Sequence, residues 1–309
     1  MHRKRTLPFL PLIGAALLLA ASASPAVALS VPGAPACPVF PADNVWNKPV
    51  DQLPVRSDSH TLVSSIGLTS HVHPDFSDSD GAGYGIPYNV VGHLTPRYYV
   101  KFRWPGESDK GPYPIPAHVK IEGGSDRHIL AVDRDNCKLY ELFAAVKKSD
   151  GWHAGSGAIW DLSSNALRPK GWTSADAAGL PILPGLVRYD EVSAGAITHA
   201  LRFTAGTTRT SYIYPARHQA GDSSAAALPP MGLRVRLKAG FNINSFGPQS
   251  RVLLTALKTY GMILADNGSP WYISGAPSPG WNDDELHALN TIPGSAFEAV
   301  DTSSLRNGP

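Results

Sequence analysis

Short apolar stretches broken by glycine and proline set the rhythm of this chain. In 127–133 (RHILAVD), His128, Leu130 and Val132 share one face, the period-2 pattern of a strand. Lys138 to Val146 alternates again, with Leu139, Glu141 and Phe143 on one face and Tyr140, Leu142 and Ala144 on the other. Asp133 to Asn136 between them reads as a hairpin loop. In 197–203 (ITHALRF), Ile197, His199, Leu201 and Phe203 fall together, and Thr210 to Tyr214 is expected to pair back as the next strand. Gly232 to Ala239 sets Leu233, Val235 and Leu237 against Arg234, Arg236 and Lys238, which predicts a half-exposed strand with one basic face. Met262–Ala265, Asn267-Gly268 and Trp271–Ser274 read as strand, tight turn and strand.

Helical periodicity is scarce. The best case is Pro248 to Tyr260, where Val252, Leu253, Ala256, Leu257 and Tyr260 form a stripe, proline opens the first turn and Gly261 stops it. Shorter helices are expected at Ser59–Ile66, Ala175–Ala178 and Asp283–Leu289, the last capped by Asn282. The pattern predicts a mainly β chain, a single-domain β-sandwich or jelly-roll-like fold with a few short peripheral helices.

The first 28 residues stand apart. A basic start (Arg3, Lys4, Arg5), an apolar run from Leu7 to Ala21 and the small-x-small sequence Ala26-Val27-Ala28 predict a signal peptide. The apolar run is short for a membrane span. Residues 29–38 then form an N-terminal arm, and 39–309 a single β-rich domain. Cleavage would take 28 of 309 residues and leave 281. It would also take three of the 27 Lys and Arg, leaving 24 against 25 Asp and Glu, a net charge of −1.

That balance excludes the basic bias of a nucleic-acid protein. A composition of 43% hydrophobic and 17% charged residues supports a buried core rather than disorder. Export also gives the two cysteines a meaning: in an oxidising compartment Cys37 and Cys137 are expected to form one disulfide. It would close a loop worth about 4.7 kcal/mol of chain entropy.

Three stretches carry a resemblance: 37–47 (CPVFPADNVWN), 172–181 (WTSADAAGLP) and 264–269 (LADNGS). Together they resemble a family of secreted bacterial proteins of the actinobacterial type. The resemblance spans nearly all of the expected mature chain. It implies export and one domain, and it transfers no catalytic residue.

No Walker loop, GxGxxG, HExxH, CxxC or GxSxG occurs. The candidate chemistry therefore lies in residues out of keeping with their surroundings. Glu141, Asp161 and His199 sit in apolar or alternating segments, where ionisable groups are costly unless paired. With His128, which follows the bend at Gly123-Gly124, and Arg202, they form the expected acid–base set, in which Arg202 takes up substrate charge. Two carboxylates would suit glycoside hydrolysis. A base beside arginine would suit β-elimination of an acidic sugar. Trp104, Trp152 and Trp172, with Arg217 and His218, are candidate substrate-binding groups, because aromatic rings stack on sugar faces. His71, His73 and Asp75 alternate as ligands of a divalent metal would, against a reading as a plain His-rich loop.

The sequence thus predicts a secreted enzyme, a polysaccharide hydrolase or lyase with no obligatory cofactor. Its partner would be a polysaccharide or cell-wall glycan, with no nucleic acid and no membrane after cleavage. The alternatives are a non-catalytic glycan- or wall-binding module and a metal-dependent secreted hydrolase.

Overall fold

The structure, a computed structural model, describes residues 1–2, 30–76 and 84–306. Residues 3–28 of the expected signal peptide lie outside the described residues.

In chain order the strands are β1 (His73–Asp75), β2 (Tyr88–Val91), β3 (Arg97–Tyr98), β4 (Val100–Phe102), β5 (Tyr113–Pro114), β6 (Ile129–Asp133), β7 (Lys138–Phe143) and β8 (Val146–Lys148). There follow β9 (Gly151–Ala154), β10 (Ser156–Asp161), β11 (Leu201–Ala205), β12 (Arg234–Leu237), β13 (Met262–Asn267), β14 (Tyr272–Ser274) and β15 (Phe297–Ala299). The helices are α1 (Ser59–Gly67), α2 (Tyr189–Ser193), α3 (Pro248–Thr259) and α4 (Asp283–Ala288). The chain is mainly β, as its alternation predicts.

One sheet runs β1-β14-β11-β13-β12-β15, a second β10-β7-β6-β2, and a third β4-β9-β8. The period-2 rule builds the layers. From the second sheet Leu130, Val132, Leu139, Ala158 and Trp160 point into the main core, which they share with Leu201, Phe203, Leu264 and Ile273 of the first sheet. The alternate residues Ile129, Ala131, Tyr140 and Leu142 point the other way, into a second core with Val100, Trp152 and Ala154 of the third sheet. The second sheet is therefore buried on both faces, and the two larger sheets enclose the main core in a sandwich-like arrangement. Trp271 is stacked between Phe203 and Phe297, at centroid distances of 5.6 and 5.1 Å.

The disulfide joins Cys37 to Cys137, at the start of β7. It ties the N-terminal arm to the second sheet.

Several expectations change. The strand foreseen over 197–203 begins only at Leu201, because His199 leaves the ladder to bond Glu191. Thr210–Tyr214 adds no strand beside β11; it makes one isolated bridge, Tyr212 to Met231, just after the Arg209 to Ser223 bridge. β13 and β14 are not a hairpin pair, since β11 lies between them, parallel to β13 and antiparallel to β14. Residues 175–178 form turns rather than a helix.

β12 has no exposed basic face. Arg234 is buried and donates to the carbonyls of Tyr260, Val45 and Lys48 at 2.7, 3.0 and 3.0 Å. Arg236 donates to the carbonyls of Asp51 and Leu53 and to Glu298. These guanidiniums staple segment 45–53 to the sheet. Burial pushes Arg234 down to about 9. α3 follows its expected boundaries, and Asn282 caps α4 by accepting from the Glu285 amide at 3.1 Å.

Candidate active site

The first sheet carries a row of polar side chains. Asp75 pairs in register with Ser274 across β1 and β14, and Arg202 on β11 donates to the Ser274 hydroxyl. The row reaches β13 through a bulge. Phe203 pairs with Leu264 but Thr204 pairs with Asp266, so Ala265 is the extra residue. That bulge turns Asp266 to the face that holds Arg202 and Thr204.

The loop 173–181 packs over this row. Ala178 N–H donates to the carbonyl of Ala265, at the bulge, at 2.9 Å. The single Ser174 hydroxyl proton lies within reach of the carbonyls of Asp176 and Leu180, and Oγ accepts from the Asp176 amide, which closes the loop upon itself. Its tightest point is Gly179, at φ +67°, where a Cβ would lie 2.4 Å from the Trp172 carbonyl. The loop delivers Asp176, fully buried, to Arg202. Arg202 Nε and Nη2 donate to the two carboxylate oxygens at 2.8 and 2.5 Å. Burial opposes the Arg202 charge, but Asp176, Asp266 and Glu122 outweigh it and hold the guanidinium above its usual range.

His128 supports the loop from the second sheet. Its Nδ1 is 2.5 Å from Glu122 Oε2 and its Nε2 is 3.1 Å from the carbonyl of Ala175. Both ring nitrogens thus face oxygens that only accept, which favours the doubly protonated ring. Burial lowers the imidazole, yet the hydrogen bond and charge of Glu122 prevail and raise it. Glu122 moves the opposite way: burial raises it, and His128 brings it below its ordinary value.

Asp266 completes the cluster. Its Oδ2 lies 3.8 Å from Arg202 Nη2, and a quarter of the side chain stays exposed. Burial first, then the charge and hydrogen bond of Asp176, push Asp266 up to about 7. The Asp176 charge beside it disfavours ionisation of Asp266.

Asp176 and Asp266 line a cavity of about 360 Å³ with Trp104, Glu107, Phe143, Ser156, Thr173, Ser174, Ala175, Ala177 and His218. Its volume falls in the range of small-ligand sites. His218 Nδ1 donates to the carbonyl of Ala177 at 2.8 Å, and its Nε2 lies 3.9 Å from Glu107 Oε2. Glu107 accepts from the Thr173 amide at 3.0 Å. Trp104 is 41% exposed, with its ring stacked near Phe143 and under the Arg103 guanidinium. The cavity therefore gathers a carboxyl of raised proton affinity, an imidazole, a second carboxyl group and an aromatic face.

Of the residues expected from sequence, His128 and Arg202 meet in this cluster, and His218 and Trp104 line the cavity. Glu141 lies beneath it, fully buried, and accepts from the amides of Ile182 and Leu183 at 2.9 and 3.0 Å. Burial pushes it up to about 7 despite those bonds. It has no access to a substrate. His199 is also fully buried, 3.1 Å from Glu191, which is itself bound by Arg188. Asp161 is exposed at the far end of β10 from Ser156, about 17 Å away at strand spacing, where it accepts from the Ser163 amide. The expected set of Glu141, Asp161, His128 and His199 thus shares no cleft.

Trp152 packs in the second core, and half-buried Trp172 lies against Arg168. Arg217 faces a neighbouring groove. Among the described residues no group of three or more His, Cys, Asp or Glu is placed to hold a metal ion. His71 is bridged to Pro293, His73 stacks on Tyr272 at 4.2 Å, and Asp75 faces the polar row, where burial raises it.

Sequence reading passed over Asp176, Asp266 and Glu107. The first two sit inside the stretches 172–181 and 264–269, so a signal was there; the bulge that aims Asp266 was not visible. The chain matches no family model, no curated protein and no solved structure.

Proposed function

We propose that the protein is an exported enzyme that cleaves the bond between sugar units of a polysaccharide in this cavity. The observation that carries the reading is that Asp266, a carboxyl raised to about 7, lines the same cavity as the His218 imidazole. Asp266 would give its proton to the leaving glycosidic oxygen, and the Arg202 guanidinium, 3.8 Å away, would stabilise the carboxylate that forms on Asp266. His218 Nε2, with Glu107 beside it, would take a proton either from water, giving hydrolysis, or from carbon next to a sugar carboxylate, giving elimination. Trp104 offers the flat apolar face on which a sugar ring stacks.

Export is part of this reading. The Cys37–Cys137 disulfide suits an oxidising compartment, and no helix among the described residues is long and apolar enough to cross a membrane. Membership of the secreted bacterial family that the three stretches resemble belongs to the same proposal.

The test is a glycan panel assayed for binding and for cleavage, with wild type beside Asp266→Asn and His218→Gln. The expected result is cleavage of at least one glycan by wild type and a loss of about 100-fold or more in each variant, with binding retained. Binding of glycans without cleavage by wild type would favour the non-catalytic module instead.

A further inference from the structure

A second, larger cavity of about 600 Å³ adjoins the first. Lys170 and Arg217 line it, whereas Thr173 and His218, from the same two segments, line the cavity with Asp266. Those segments are bonded to each other, Gly171 N–H to the Arg217 carbonyl at 2.8 Å, so they form a shared wall. Arg306 is the third cation on this groove, and among the described residues no carboxylate lines it. Arg217 Nε donates only to the Arg168 carbonyl, and among the described residues none of the three cations is in an ion pair. The nearby Asp43 accepts from Asn165, and its charge bears on Tyr214. Tyr212 and Tyr214 complete the lining.

We infer that this groove is a subsite for the carboxylate of an acidic sugar, so that the substrate is a uronate-containing polysaccharide. The inference rests on the reading of the Asp266 cavity as the place of cleavage. Three cations with no ion pair among the described residues present a field that an anionic chain would neutralise, and arginine matches a carboxylate with two parallel donors. The two tyrosines favour a sugar ring over a flexible polyol phosphate, which offers no flat face to stack. A chain lying along the shared wall would place a charged unit at Arg217 and the next linkage at His218 and Asp266.

The test measures binding to Asp266→Asn protein, so that cleavage does not interfere. The probes are oligogalacturonate, its fully methyl-esterified form and polyglycerol phosphate. Oligogalacturonate is expected to bind about tenfold or more tighter than its uncharged ester, with a preference that shrinks as salt rises. The preference should fall in Arg217→Gln and in the double variant Lys170→Gln/Arg306→Gln, whose exposed side chains can be replaced without disturbing the core. Equal affinity for acid and ester, an unchanged preference in both variants, or binding of polyglycerol phosphate alone would overturn the inference. Cleavage is scored separately on wild type. A charge preference without cleavage removes the catalytic reading and keeps the subsite, and cleavage of neutral chains without preference does the reverse.

Discussion

Glu141 shows how a misplaced charge can be structural. Its carboxyl interrupts an apolar strand face because two backbone amides, Ile182 and Leu183, need an acceptor where water is absent. Its proton affinity then affects stability. Glu141 and Asp266 are both raised to about 7 in the folded chain, from ordinary carboxylate values. A raised group stabilises fully below its unfolded value and loses that contribution as pH climbs through the folded one. His128, also raised, acts in the same direction. Thermal or denaturant unfolding should therefore show the protein more stable at pH 5 than at pH 8. Glu141→Gln should flatten that dependence by on the order of 2 kcal/mol, since glutamine does not titrate. An unaltered pH slope would mean that Glu141 is already ionised at pH 5. The sequence showed that Glu141 was out of place; it did not show that the remedy was a distant backbone turn.

At the scale of elements, legibility followed locality. β6, β7 and the loop between them are adjacent in the chain, and α3 carries its own start and stop; their patterns were readable. The order of the first sheet was not, because β11 inserts between β13 and β14 from sixty residues away. The stretch 172–181 was conspicuous, yet its Ala-rich centre resembled a helix. In the fold it is a loop closed by Ser174 and held by His128 and the β13 bulge. Gly179 is the position that admits least change. Gly179→Ala is expected to cost about 1–3 kcal/mol, from positive φ and the close Trp172 carbonyl, and to weaken cleavage by displacing Asp176. Wild-type stability and activity in that variant would show that the loop geometry is not needed.

Over the whole molecule, the site lies where the two larger sheets and one loop meet. The first sheet supplies Arg202 and Asp266, the second sets His128 and Glu141 beneath the loop, and the loop brings Asp176. The disulfide fixes the arm to the second sheet, and Arg234 and Arg236 fix segment 45–53 to the first, so the chain around the site is held at several distant points. Trp104 and His218 line the cavity, and the segments that carry Thr173 and His218 also supply Lys170 and Arg217 to the basic groove.

The central claim is that Asp266 works as the proton donor of a cleaving enzyme, and the pH dependence of cleavage tests it most directly. On a glycan that wild type cleaves, the rate should decline as pH rises through about 7, the value to which Asp266 is raised. Asp266→Asn should lower the rate by about 100-fold or more and abolish that alkaline limb. An Asp266→Asn protein that cleaves at the wild-type rate with the same alkaline limb would contradict the account.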